Sequence, residues 1–251
     1  MKYIKDNLAF FIFMIIVSFI GGYFTTIYSL SYLDPSVIEE GIKQAGSKDI
    51  LILISVIQIF IYAIVFASIG IILSNKVGLW KKFEFNKKAI IKVIVISILA
   101  GLLLSLGDKY LFGHFIEPVY HLYDNKPTLE YIISSFMYGG VFEEILMRLF
   151  LMTLLAWIIS KVFYKKEKEV PMKVFIIANI ISALLFAGLH LPSTNMLFGY
   201  LDFWIIFRCF SLNGAFGFAF GLLYQKYGIQ YAMLAHFGCH LISKLIWLLF
   251  M

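Results

Sequence analysis

The stretch Phe136-Met137-Tyr138-Gly139-Gly140-Val141-Phe142-Glu143-Glu144-Ile145-Leu146-Met147-Arg148 is an apolar run broken by two adjacent carboxylates and an arginine. The run continues on both sides, from about 129 to 159, and so exceeds the ~20 apolar residues that cross a bilayer. Six further segments read the same way: 8–30, 50–74, 89–106, 173–190, 200–224 and 229–250. The 251 residues are 61% hydrophobic and only 14% charged, too few charges to coat a water-facing surface. These observations exclude a soluble domain, a disordered chain and a nucleic-acid binder. They predict an all-α, polytopic, multi-pass integral membrane bundle of about seven spans, eight if one more is hidden in 107–128. It reads as one membrane domain, with an N-terminal part of about three spans (1–128) and a core (129–251) holding the intramembrane charges.

The net charge of +6 acts as a topology signal. Lysines gather at positions 2 and 5, in 76–88, in 161–173 and at 226, whereas the opposite loops carry only Lys43, Lys48, Lys109 and Lys126. Strict alternation then places the N-terminus inside and the C-terminus outside. The start Met1-Lys2-Tyr3-Ile4-Lys5 resembles a signal peptide, but no small-x-small cleavage site follows it, so an uncleaved anchor is expected. In the weakest region, Phe112, Phe115, Ile116, Tyr120 and Tyr123 suit an interfacial amphipathic helix. Cys209 and Cys239 read as small buried side chains.

An ionised carboxylate in hydrocarbon costs several kcal/mol unless it is paired or faces a wet cavity. Glu144 and Arg148 stand at i and i+4, in the favourable order. Glu143 lies about 100° further round the helix and needs another partner. Three histidines lie in or at the ends of apolar spans: His190, and His236 with His240 one turn apart. A carboxylate beside an imidazole can hold a water and take its proton during attack on a carbonyl, and imidazole N–H groups can stabilise the resulting oxyanion. Glu143, His190 and His236 could instead ligate a zinc, although no H-E-x-x-H helix is present.

Taken in order, Glu143-Glu144-Ile145-Leu146-Met147-Arg148 fits E-E-x-x-x-R and Phe186-Ala187-Gly188-Leu189-His190 fits F-x-x-x-H. His236-Phe237-Gly238-Cys239-His240 falls where H-x-x-x-N or H-x-x-x-D would stand. The pattern, over roughly 129–245, resembles the CPBP intramembrane proteases, also called the Abi or CAAX-protease family. That resemblance implies an endopeptidase acting on a peptide or protein substrate, lipidated or membrane-embedded. It implies Glu143 as the base activating water with His190, Glu144 and Arg148 as a positioning pair, and His236 with residue 240 at the oxyanion. Here residue 240 is His rather than Asn or Asp. The Ile-, Lys- and Phe-rich composition weakly hints at a bacterial source, where protein prenylation is not expected. Processing of a bacteriocin-type peptide, or self-immunity to one, is then an alternative to CAAX processing. A proton-coupled carrier and a non-catalytic membrane immunity or scaffold protein are the competing classes.

Three finer expectations follow. Arg208 is expected to pair with Asp202, and Lys244 to reach the interface by snorkelling. Gly214, Gly217 and Gly221 are expected to let helices approach closely. In straight spans His190 would lie about 25 Å from the cytoplasmic end of its helix and His236 only about 10 Å. They become level only if spans tilt, if the turn at 225–228 sinks, or if a span is miscounted.

Overall fold

The computed structural model describes residues 7–251; Lys2, Lys5 and the signal-like start lie outside them. The described chain is all-helical, and seven of its helices or helix pairs are long and apolar enough to span a membrane. The spans are α1 (Leu8–Leu30), α3 (Lys48–Val77), α4 (Lys87–Phe112), α6 (Leu129–Phe163), α7 with α8 (Met172–Leu189, Leu191–Phe198), α9 (Phe203–Tyr227) and α10 (Ile229–Phe250). Two shorter helices, α2 (Pro35–Ala45) and α5 (Glu117–Leu122), lie in connections. The chain is thus an integral multi-pass membrane protein.

Polar caps set the helix starts. Ser47, Asn86, Thr128 and Asp202 each accept a hydrogen bond from the backbone N–H three residues on, satisfying an orphan donor of the first turn. Gly78 ends α3 with φ +76°, a left-handed turn that glycine adopts without steric cost.

The bundle turns many large apolar side chains outward. Ile16, Leu53, Ile54, Ile94, Leu99, Leu184 and Leu185 are exposed, as suits a surface facing lipid. Ala63, Ala67, Ala100, Ala178, Ser74, Ser105 and Thr153 lie inside, where small residues let helix backbones meet. α10 packs on α4, α6 and α9, while α3 packs on α1 and α6. At Gly70 of α3 an added Cβ would stand 2.6 Å from the Leu149 carbonyl oxygen and 2.7 Å from Leu149 Cγ. Gly70→Ala is therefore expected to separate α3 from α6 at a cost of about 1–3 kcal/mol. An unchanged thermal midpoint in detergent would contradict this contact. Gly217 and Gly221 fulfil the packing expectation, facing Phe186 with Arg148, and Asn179, respectively, whereas Gly214 has only ordinary contact.

Residues 107–128 complete α4 and form the short helix α5, with most of the expected apolar face buried within the bundle. α4 runs on to Phe112, and Phe112, Ile116, Val119 and Tyr123 turn inward onto Ile205, Leu212 and Trp247. Only Phe115 and Tyr120 of the expected apolar set stay exposed. Both cysteines are buried and free.

Candidate active site

The site is built where α6 departs from regular α-helical winding. Wide π-helical turns occupy Ser135–Phe142 and Ile145–Met152, on either side of Glu143 and Glu144. Such turns cluster at functional sites because the extra residue re-aims the side chains around it. Gly139 and Gly140 bring α6 against α10: a Cβ at Gly140 would meet Phe237 Cα at 2.8 Å, and one at Gly139 would meet His240 Nε2 at 2.8 Å.

The adjacent carboxylates take separate partners. Glu144, fully buried, lies 2.9 Å from Arg148 Nη1 and accepts a hydrogen bond from His236 Nδ1 at 2.8 Å. The Arg148 guanidinium sits 4.5 Å over the Phe186 ring, a cation–π contact that offsets part of its desolvation. Glu143 is partly open, its side chain 19% exposed, and its Oε1 lies 4.0 Å from His190 Nε2.

His190 owes its orientation to a helix end. Its own N–H bonds to Ala187 O, three residues back, which leaves the Phe186 carbonyl free of that amide. The ring takes up that carbonyl, with Nδ1 donating at 2.8 Å. Nδ1 therefore carries the proton, and in the neutral ring Nε2 presents a lone pair towards Glu143. Pro192 opens α8 immediately beyond.

The third motif is held by stacking. His236 lies between Phe220 (centroids 4.6 Å apart, 22° between planes) and His240 (4.9 Å, 26°). His240 is half-buried and has no hydrogen-bond partner among the described residues. The Phe186 ring stands edge-on to both His190, at 4.7 Å, and His236, at 5.9 Å. His190 and His236, reckoned at unequal depths for straight spans, thus meet the same Phe186 ring. The turn at 225–228 is also tied to the loop before α4: Lys81 Nζ donates to Gln225 O and Lys226 O, and Tyr231 OH donates to Glu84 O.

All six residues picked out from the sequence are therefore linked: Glu143 faces His190, Phe186 joins His190 to Arg148 and His236, Glu144 meets Arg148 and His236, and His240 stacks on His236. No three His, Cys, Asp or Glu side chains among the described residues converge as metal ligands. Glu143, His190 and His236 are thus not grouped as a zinc-ligating set in this arrangement.

Two intramembrane cations differ from expectation. Arg208 pairs with Asp108 on α4, its Nε 2.5 Å from Oδ1 and its Nη2 2.6 Å from Oδ2, while Asp202 caps α9. Tyr123 OH donates to Asp108 Oδ2 at 2.9 Å, and burial with the neighbouring carboxylate pushes the Tyr123 phenol well up. Lys244 does not snorkel to lipid. It is 4% exposed, with Nζ 3.9 Å from the Tyr131 ring centre and 5.6 Å from that of Trp247. Asp108 was hidden because it closes the apolar run of α4 and resembles an ordinary span-end acid. Asn179 donates across helices to Phe218 O at 2.9 Å, but Asn213 stays within its own helix, on Cys209 Sγ.

Residues 125–242 match the family model described as Rce1-like, type II CAAX prenyl endopeptidase. No curated protein and no solved structure compared with the chain gave a match. Glu143, Glu144, Arg148, His190, His236 and His240 all fall within the matched residues. That segment, with its paired membrane carboxylates and three histidines, is similar to the Rce1-like CAAX prenyl endopeptidases of the CPBP family.

Proposed function

We propose that the protein is an intramembrane endopeptidase in which Glu143 activates water. The observation that carries this reading is the pairing of two acceptors, Glu143 Oε1 and His190 Nε2, across 4.0 Å. That gap is too long for a direct hydrogen bond and suits a shared water. A water donating one hydrogen to each acceptor would hold them about 4.4 Å apart, and its lone pairs would remain free to attack.

The water oxygen bonds to the scissile carbonyl carbon while its proton passes to Glu143. The carbonyl electrons move onto oxygen, and the oxyanion takes a hydrogen bond from an imidazole N–H. His240 suits that donor best, because its ring has no other partner. His236 donates from Nδ1 to Glu144 and, when neutral, keeps only a lone pair on Nε2; it positions His240 by stacking. Collapse of the intermediate breaks the C–N bond as Glu143 returns its proton to the leaving amine. Glu144 and Arg148 anchor His236 and the helix.

The family match supports testing a prenylated CAAX C-terminus first among substrates. The test uses purified full-length protein in detergent, a farnesylated CAAX peptide and the same peptide without the prenyl group. Wild type should cleave, and Glu143→Gln and His190→Ala should each be strongly impaired. Unchanged cleavage by both variants would remove the mechanism. Failure of wild type on both peptides would remove the CAAX substrate.

A further inference from the structure

Away from the catalytic groups, residues 81–86 and the α9–α10 turn enclose a cleft of about 300 Å³, lined by Lys81, Lys82, Glu84, Phe85, Lys226 and Tyr227 among others. It lies where α3 hands over to α4 and α9 to α10, at the ends of four spans. Three ammonium groups face one carboxylate there. Among the described residues no lysine lies within ion-pair distance of any carboxylate. Lys81 Nζ is committed to the last carbonyls of α9, at 2.8 Å from Gln225 O and 2.6 Å from Lys226 O. Lys82 and Lys226 are exposed and remain free to meet an anion. Lys92 joins the cluster, since its Nζ and that of Lys226 each lie 5.7 Å from the Tyr227 ring centre. Burial first, and then the charge of Lys226 close by, draw the Lys81 ammonium below the usual lysine range.

We propose that this cleft binds the phosphate headgroup of an anionic phospholipid. Basic pockets between membrane helices are a recurrent form of lipid headgroup site. Exposed aromatic surface beside the lysines, at the ends of apolar spans, favours a lipid over free phosphate. Phe83 and Phe85, 55% and 77% exposed, flank the lysines and offer apolar surface to the acyl region below a headgroup. Occupancy would brace the turn from which α10 departs, the helix that carries His236 and His240.

The test measures lipid retention by native mass spectrometry, together with thermal midpoints, for purified full-length protein in mixed micelles. The probes are palmitoyl-oleoyl phosphatidylglycerol, the matching phosphatidylcholine, and inorganic phosphate. Lys82→Gln with Lys226→Gln should weaken phosphatidylglycerol binding about tenfold or more, taking roughly 1 kcal/mol per lysine near an anionic headgroup. The Arg pair at the same positions should keep it, as should Lys165→Gln with Lys166→Gln in another basic loop. Midpoints without lipid show whether each variant is folded. Lys81 is left intact because it caps α9. Equal retention of the two lipids by wild type would overturn the proposal, as would unchanged phosphatidylglycerol binding by the Gln pair. Equal protection by inorganic phosphate would overturn the lipid assignment in favour of the free anion.

Discussion

Glu143→Gln is expected to slow peptide cleavage by about 10²–10⁴-fold, the range that a positioned general base contributes. Glutamine keeps the size of the side chain and can still bind a water, but it cannot take the proton. Substrate affinity should therefore hold within a few-fold while kcat falls, the signature of an interaction made only in the transition state. Glu144→Gln should behave differently, because Glu144 is fully buried and serves two partners, Arg148 and His236. Its loss should lower stability as well as rate, since the Arg148 cation would stay buried with less to balance it. Measuring kcat and KM for both variants, with thermal midpoints alongside, separates the roles. Equal loss of rate and stability in the two would show that Glu143 too is structural.

The second large effect is expected at the buried ion pair between α4 and α9. Asp108→Leu leaves the Arg208 guanidinium without its bidentate partner inside the membrane, where Asp108 is 3% and Arg208 16% exposed by side chain. Removing one member of such a buried pair costs about 3–5 kcal/mol, because the remaining charge keeps its desolvation penalty. It also takes the acceptor from the Tyr123 hydroxyl, which retains Leu104 O at 3.0 Å. Adding Arg208→Met to Asp108→Leu should restore most of the stability, since apolar replacement of a whole pair is often close to neutral. Thermal unfolding of the two single variants and the double variant checks this. A double variant as unstable as Asp108→Leu alone would show that Asp108 serves something other than Arg208.

The expected partner of Arg208 shows where reading along the chain stops. Asp202, six residues away, is a plausible neighbour by sequence, but it caps the start of α9 and faces the Ile205 amide. Asp108 is 100 residues distant, on another span, and meets Arg208 because the two helices lie side by side through wide turns at Leu103–Phe112 and Phe210–Gly214. Lys244 repeats the lesson. Its position near the end of α10 predicts snorkelling, yet Tyr131 from the start of α6 covers it.

The amino-acid sequence by itself determined the membrane class, the seven apolar spans to within a few residues at most ends, and the residues grouped on single helix faces. Glu144 with Arg148 and His236 with His240 are legible because helical spacing is a local property of the backbone, fixed whatever surrounds it. Tertiary structure alone decided that Glu144 rather than Glu143 takes His236 and that Glu143 is left facing His190. It also decided that His190 points inward through the freed Phe186 carbonyl. The physical reason is that pairing between helices depends on tilt, rotation and the π-helical turns of α6. A shift of one residue there turns a side chain by about 100°, a difference that apolar periodicity does not record.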